Sequence, residues 1–333
     1  ITDSLPLQQL AFNGTIIPHP LFEAVNPELK IKEIISLDGS FYSDAADSAL
    51  NMNIKTAAVA YGDNALSNAL FTVRSSSDLI SNKLQFDTLQ SGGNTFYQSD
   101  LNANLGQDRI YLNASTKDKI GKDWFGIKGY AALMEDVYRL RITDTVLLNH
   151  EDWIAASDNY IEYSPAGLVV NNFLITSDTA RIFIQSEQEK PNSPIAINID
   201  NFNLSNLSSL VSSDTVFLSG ILDVKARVDE LDQPLPAFAG DATISGLMVE
   251  NKPIGDIVMN AAKTDSNSIA ANARLTGNGN DLLLKGKYYL SDSLKQFDAN
   301  LDIKKLNVKT IEALSDGMLT NSSGNLHGSA DLY

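Results

Sequence analysis

Apolar and polar residues alternate along most of the chain after Leu29, which predicts a long succession of half-buried antiparallel strands. Leu50, Met52 and Ile54 alternate with asparagine and lysine early in the pattern, and Leu326 does so with its neighbours near the end. Turn sequences such as 62–64 and 277–280 separate the strands. We therefore predict an all-β chain whose sheet is apolar on one face and polar on the other. Residues 1–30 contain four prolines and are predicted to be irregular, apart from one or two helical turns at 21–25.

Two segments of the second half, residues 197–228 and 301–332, carry the same order of patterns. Gly220 matches Gly324, which lies 104 residues later. Each segment predicts a strand, a short helix, a turn and a strand. The helices are indicated by the spacing of Leu204, Leu207 and Leu210 and, later, of Val308, Ile311 and Leu314. Such self-similarity predicts repeated supersecondary units that pack against their neighbours.

Composition narrows the classes of function. The chain has 25 lysines and arginines against 41 aspartates and glutamates, a net charge of −16, which argues against nucleic acid and against flat docking on anionic headgroups. It has no cysteine, which excludes disulfides, thiolate metal ligands and cysteine nucleophiles. Its apolar runs fall far short of the ~20 residues that cross a bilayer. Because residue 1 is isoleucine and the repeat runs up to Tyr333, we interpret the chain as a piece of a longer protein.

Candidate catalytic chemistry is sparse. His19, His150 and His327 lie far apart, with no acid or nucleophile at motif spacing, so surface histidines are favoured over catalysis. No phosphate loop, paired-carboxylate motif or metal-ligand cluster is found in the sequence. We predict a protein that is not an enzyme and that holds no metal and no cofactor. Trp124 and Trp153 could face a lipid or could pack at the end of a sheet, and both alternatives stay open.

Residues 323–332, SGNLHGSADL, resemble the strand S-G-x-L-x-G-x-x-x-L that recurs in the TamB and AsmA-like family. The earlier copy retains the first glycine, Gly220, and has Val224 in place of the second. The short helix at 308–316 and the segment 286–290 fit the family as well, and the asparagine- and aspartate-rich style is similar to its Bacteroidetes branch. The resemblance covers residues 195–333.

This resemblance implies an elongated, repeated, mostly antiparallel β-taco, which is a U-shaped sheet with an apolar groove and a few short helices. It implies a periplasmic location, with an inner-membrane anchor outside this chain. It also implies a bridge-like protein that conducts phospholipid acyl chains between the inner and outer membranes. The alternative is a chaperone-like factor that assembles outer-membrane proteins with a TamA-like barrel partner and binds substrate strands at its sheet edges. A secreted adhesin built of closed β-sandwiches is a third interpretation.

We predict a β-groove segment over residues 1–190 and TamB-like repeat units over residues 191–333. The residues expected to line the groove and contact lipid share the apolar parity of their strands. They are Ile182, Ile184, Ile195, Ile197, Ile199, Leu222, Val224, Ala226, Ile257, Met259, Ile269, Leu275, Leu282, Leu284, Leu301, Ile303, Leu326, Ala330 and Leu332. Most alternating sheets belong to closed sandwiches or barrels, whose interior holds only protein, and the family resemblance favours the open groove.

Overall fold

Alternating residues form strands almost throughout the computed structural model, which describes residues 8–43, 48–92, 94–106, 108–207, 217–265, 267–290, 296–315 and 318–333. In these residues 24 strands and two short helices have defined bounds. The strand pairings within each part of the chain are antiparallel. The all-β class, with antiparallel strands and few helices, is therefore confirmed. The chain divides into two compact units, Ile1–Ser157 and Asp158–Tyr333.

The first unit is a run of hairpins. Its elements are β1 (Gln8–Ile16), α1 (Pro20–Val25), β2 (Leu29–Ile31), β3 (Ile35–Ser43), β4 (Ser48–Tyr61), β5 (Asn64–Ser75), β6 (Leu79–Ser91), β7 (Asn94–Gly106), β8 (Arg109–Lys117), β9 (Asp123–Met134), β10 (Val137–Ile142), β11 (Thr145–Leu148) and β12 (Glu151–Ala155). β3 to β9 each pair with the next strand, β1 pairs with β3, and β2 pairs with β4. On the edge of β9 opposite β8, β10 pairs with the second half of β9 and β11 pairs with its first half. β11 also pairs with β12.

The start of the chain is more ordered than its prolines predicted. The predicted helical turn is present as α1, and the side chain of His19 caps it by accepting a hydrogen bond from the Leu21 amide at 3.1 Å. The segment before it is not irregular, because β1 pairs with β3 from Gln8 to Ile16 without a break. Most of its side chains are exposed, so backbone hydrogen bonds hold this strand in place more than burial does.

The second unit continues the hairpin pattern. Its elements are β13 (Tyr160–Ser164), β14 (Gly167–Asn171), β15 (Phe173–Ser177), β16 (Ala180–Ser186), β17 (Ile195–Asn203), β18 (Leu218–Asp229), β19 (Ala237–Val249), β20 (Lys252–Asp265), β21 (Ser268–Gly277), β22 (Asn280–Tyr289), β23 (Phe297–Asn307), α2 (Val308–Leu314) and β24 (Asn325–Leu332). β13 pairs with β14, and each strand from β15 to β23 pairs with its successor.

The predicted repeat is confirmed in the register of the strands. β17 and β18 shift register between Ile199 and Phe202, and β23 and β24 shift register between Ile303 and Leu306. The two bulges are 104 residues apart, as the sequence alignment requires. A bulge adds one residue to a strand and bends it, so the same bend recurs in both copies.

The strand ends repeat as well. The Asn203 side chain accepts from the amide two residues later at 3.0 Å, and the Asn307 side chain does so at 3.1 Å. Asn307 is the N-cap of α2, and capping of this kind satisfies a backbone amide at the start of a helix. Gly220 and Gly324 both have positive φ and both accept a backbone hydrogen bond from the residue after the capping asparagine. In the earlier copy residues 205–207 are helical, whereas the predicted continuation at Leu210 lies outside the described residues.

The buried side chains form small clusters. In the second unit Leu204, Leu247, Val249, Ile254 and Ala313 make one cluster, which joins α2 to strand ends. In the first unit Trp124 and Trp153 are almost wholly buried. α2 is only seven residues long, and helices of this length need tertiary packing, which Ala313 supplies.

Two further differences from the sequence analysis concern boundaries and one strand. The compact units divide between Ser157 and Asp158, whereas the predicted division into groove segments at 190/191 stays a prediction. β19 was not anticipated, because alanine and glycine occupy several of its alternating positions and these residues give a weak apolar signal. In the described residues no helix has the length and apolarity that a membrane span requires.

Candidate functional site

Apolar side chains from nine consecutive strands of the second unit, β16 to β24, stand in continuous rows across the sheet. Paired positions place Ile182 beside Ile199, Ile199 beside Val224, and Val224 beside Ala242. The same row then continues through Met259, Ala273, Leu284, Leu301 and Ala330. Because residues directly opposite each other in antiparallel strands project from the same face, these residues form one apolar face, which we call the second-unit face.

All of the residues predicted to line a groove lie on the second-unit face. A row parallel to the first contains Ile184, Ile197, Ala226 and Leu332, and another contains Leu222, Ile257, Leu275, Leu282 and Ile303. Ile195 and Ile269 stand in the row toward the opposite strand ends, and Leu326 is paired with Leu306. The structure therefore brings the predicted residues together, and their contact with lipid stays a prediction.

The second-unit face is not equally open along its width. Leu222, Ile257 and Leu275 pack against the cluster that contains Ala313 of α2, and Ile195 is buried. Leu326 and Leu332 are 46% and 41% exposed. Leu222, Ile257 and Leu275 are thus partly covered by protein, whereas Leu326 and Leu332 on the last strand keep more of their surface accessible.

One row of this face consists mainly of small residues where the strands bend toward each other. A Cβ atom added to Gly240 would lie 2.7 Å from the Ala226 Cβ, and one added to Gly286 would lie 2.9 Å from the Ala299 Cβ. Opposed Cβ atoms in a flat antiparallel pair lie about 4.5–5.5 Å apart. The second-unit face is therefore concave along this row, and the absence of larger side chains there permits the bend.

The first unit presents a separate apolar groove of about 470 Å³ on β5 to β10. Two rows run along its floor: Phe71, Leu84, Leu101, Ala114 and Ile127 in one, and Asn82, Ala103, Leu112, Gly129 and Ile142 in the other. A volume in this range is typical of small-molecule sites in proteins. We call this feature the first-unit groove.

The side chains of the first-unit groove are large, apolar and accessible to solvent. Leu101, Leu112, Ile127 and Leu140 are each exposed by 39% or more. Soluble proteins rarely expose contiguous apolar patches of this kind without a binding role. The sequence analysis identified the alternation of these residues but placed its candidate site in the second half. Which of them lie side by side depends on the register of six strands, which alternation alone does not give.

The histidines have structural environments. His19 caps α1. His150 places Nδ1 2.6 Å from the Asp123 carbonyl oxygen and Nε2 3.5 Å from an Asp118 carboxylate oxygen, and His327 contacts the Lys304 carbonyl oxygen. Within the described parts of the chain no three metal-ligating side chains converge. Each of the three histidines therefore contacts a protein atom in this structure.

The two tryptophans are packed against protein. The Trp124 indole Nε1 donates to the Asn149 side chain at 3.2 Å, and its ring lies 4.6 Å from the ring of Phe125 and 5.9 Å from that of Phe96. Trp153 has no exposed surface. Of the two alternatives left open by the sequence, packing within the sheet is the one that the structure bears out.

Comparison with known proteins gives no assignment. The chain matches no protein-family model, no curated protein and no solved structure. The function must therefore be argued from the two apolar faces themselves.

Proposed function

We propose that this chain binds lipid acyl chains along its apolar faces, as part of a periplasmic, bridge-like protein that conducts phospholipids between membranes. The observation that carries the proposal is the first-unit groove, which exposes large aliphatic side chains to solvent over several adjacent strands. The registered rows of the second-unit face support it. The family resemblance suggests the periplasmic setting and transfer between two membranes.

Acyl chains fit this surface by their chemistry. An acyl chain gains about 0.8 kcal/mol for each methylene group removed from water, so a tail of ~16 carbons gains about 12 kcal/mol. It requires no specific hydrogen bond, and leucine, isoleucine, alanine and phenylalanine dominate the floor of the first-unit groove. A headgroup left in solvent at an open face would not be desolvated. Rows that continue from strand to strand let a tail move along the sheet without crossing water at each step.

Native mass spectrometry of the purified chain tests the proposal. Co-purified phospholipid, or uptake of an added fluorescent phospholipid, is expected. A chain that stays lipid-free and takes up no labelled lipid under conditions where its folding is verified would refute the proposal.

Two neighbouring residues supply a matched pair of variants. Ala114 lies in the first-unit groove, whereas the exposed Ser115 projects from the opposite face of the same strand and does not line the groove. Ala114→Asp places a charge among apolar side chains, where an acyl chain would have to desolvate it, and should lower lipid uptake by at least tenfold. Ser115→Asp adds the same charge outside the groove and should leave uptake unchanged. In the second unit Ala330→Asp and Ser329→Asp form the corresponding pair. Equal effects within both pairs would show that the apolar faces do not bind the lipid.

A second candidate function rests on β24. Within the described residues β24 pairs with β23 alone, and all eight of its side chains are exposed. Where no further strand covers β24, its free edge can receive an added strand, as the alternative role in outer-membrane protein assembly with a TamA-like barrel partner requires. A crosslink between β24 and a β-signal peptide, competed by that peptide and not by lipid, would favour this function over lipid conduction.

A further inference from the structure

Basic residues are concentrated in β8 to β10, on the face of the sheet opposite the first-unit groove, although the chain as a whole is acidic. Residues 109–141 contain seven lysines and arginines and four aspartates and glutamates, whereas the whole chain has a net charge of −16. The paired positions place Tyr111 beside Tyr130, and Tyr130 beside Arg141. Arg109 begins the neighbouring row. These side chains have the parity opposite to that of the first-unit groove, so they project from the other side of the sheet.

The cationic groups are organised around one tyrosine. The guanidinium carbon of Arg109 lies 4.8 Å from the centre of the Tyr130 ring, and Arg141 Nη1 donates to the Tyr130 hydroxyl at 3.3 Å. The Tyr111 ring is 5.9 Å from the Tyr130 ring. Lys128 lies one row further along and is exposed. We call Arg109, Lys128, Arg141, Tyr111 and Tyr130 the cationic tyrosine patch.

The cations of the patch lack acidic partners within the described chain. Arg109, Lys128 and Arg141 have no carboxylate oxygen within 4.0 Å there. Arg181, in contrast, also lies over an aromatic ring, at 5.8 Å from the centre of Phe183, but pairs with Asp200 at 2.8 Å. The positive charge of the patch is thus not neutralised by carboxylates of the described chain, although acidic residues outnumber basic ones in the sequence.

From this charge pattern we propose that the cationic tyrosine patch docks an acidic polypeptide segment of another protein. Arginine binds carboxylates through paired hydrogen bonds, and tyrosine and arginine are the residue types enriched in the energetic centres of protein interfaces. The partner contacts the patch through side chains on a sheet face, which distinguishes this site from strand addition at β24. Lys128 and Arg141 also border the first-unit groove, but their side chains have the parity of the opposite face, so a peptide on the patch and a lipid in the groove would contact different faces of the sheet.

A peptide of alternating glutamate and serine, with a counterpart in which every glutamate is glutamine, probes the site on the intact chain. The wild type should bind the glutamate peptide and not the glutamine peptide, and binding should weaken when salt is raised from about 0.05 M to about 1 M, because the screening length falls to about 3 Å. The double variant Arg109→Gln and Arg141→Gln should bind at least about tenfold more weakly, a change of about 1.4 kcal/mol. Arg181→Gln, the matched control, should bind as the wild type does.

Four results would overturn the proposal. The first is that the wild type fails to bind the glutamate peptide, and the second is that Arg181→Gln loses as much peptide affinity as the double variant does. The third and fourth are that the patch binds anionic vesicles, or causes the chain to self-associate, without binding the peptide. The exposed Lys128→Gln provides a second variant if the double variant unfolds. It should weaken peptide binding while leaving the melting temperature unchanged, and unaltered binding in Lys128→Gln would also count against the proposal.

Discussion

Replacing Asn280 by alanine should destabilise the second unit by several kcal/mol, because this one side chain joins three backbone segments. Its amide nitrogen donates to the Ile254 carbonyl at 2.7 Å and to the Thr310 hydroxyl at 2.8 Å, and its oxygen accepts from the Asn307 amide at 2.9 Å. Asn280 and Thr310 are 5% and 3% exposed. The contacts link β20, β22 and the start of α2.

The magnitude follows from the number of bonds and their burial. A hydrogen bond contributes about 1 kcal/mol net, and a buried group left without a partner costs about 1–3 kcal/mol. Three lost bonds therefore give about 3 kcal/mol. For a unit of this size each kcal/mol lowers the melting temperature by about 2–4 °C, so Asn280→Ala should lower it by about 6–12 °C.

Differential scanning calorimetry of the intact chain measures this shift. Asn300→Ala is the matched control. Asn300 lies on the neighbouring strand and is exposed, and its side-chain amide donates one hydrogen bond, to an Asp331 carboxylate oxygen at 2.8 Å. Its effect should stay within about 0.5 kcal/mol. Equal shifts for the two variants would refute the conclusion that the Asn280 contacts attach α2 to the sheet.

Two further predictions concern packing and pH. A Cβ atom on Gly129 would lie 2.4 Å from the Arg141 carbonyl oxygen, whereas one on Gly14 has open space, so Gly129→Ala should lower the melting temperature in circular dichroism and Gly14→Ala should not. Hydrogen bonds, first from the Ser268 hydroxyl and then from a backbone amide, lower the pKa of Asp265 below its usual value of 3.8. The contribution of Asp265 to stability is therefore complete above that value and is lost as pH falls through the lower pKa of the folded state. The urea midpoints of wild type and Asp265→Asn should differ at neutral pH and converge as the pH falls through the lowered pKa of the folded state, and a constant difference would contradict this assignment.

The parts of the fold that depend on local periodicity could be predicted from the sequence. The turn at Gly277–Asn280 and the strands on either side of it follow from alternation and turn residues alone. The repeat was visible because its apolar positions keep a constant offset, although the matched bulges could be located only through strand register. β19 was missed because Gly240 and Ala242 carry little apolar signal, yet the small size of Gly240 is what the concave face requires.

The candidate sites depended more on tertiary structure. The parity of the strands was sufficient to place the predicted residues of the second unit on one face. It could not show that a buried cluster would pack against Leu222 and Ile257 while Leu326 stays open. The first-unit groove and the cationic tyrosine patch both require knowledge of which residues stand opposite each other on β8, β9 and β10. That register is set by turn lengths and bulges acting together.

A photocrosslinking experiment tests lipid binding most directly. A phospholipid with a photoreactive group in its acyl chain would be bound to the intact chain, irradiated, and mapped by mass spectrometry. The proposal predicts adducts on one parity of β6 to β9, at Leu84, Leu101, Leu112 and Ile127. Adducts distributed equally over both faces of these strands, or confined to polar-face positions outside the groove such as Asn104 and Ser115, would contradict it.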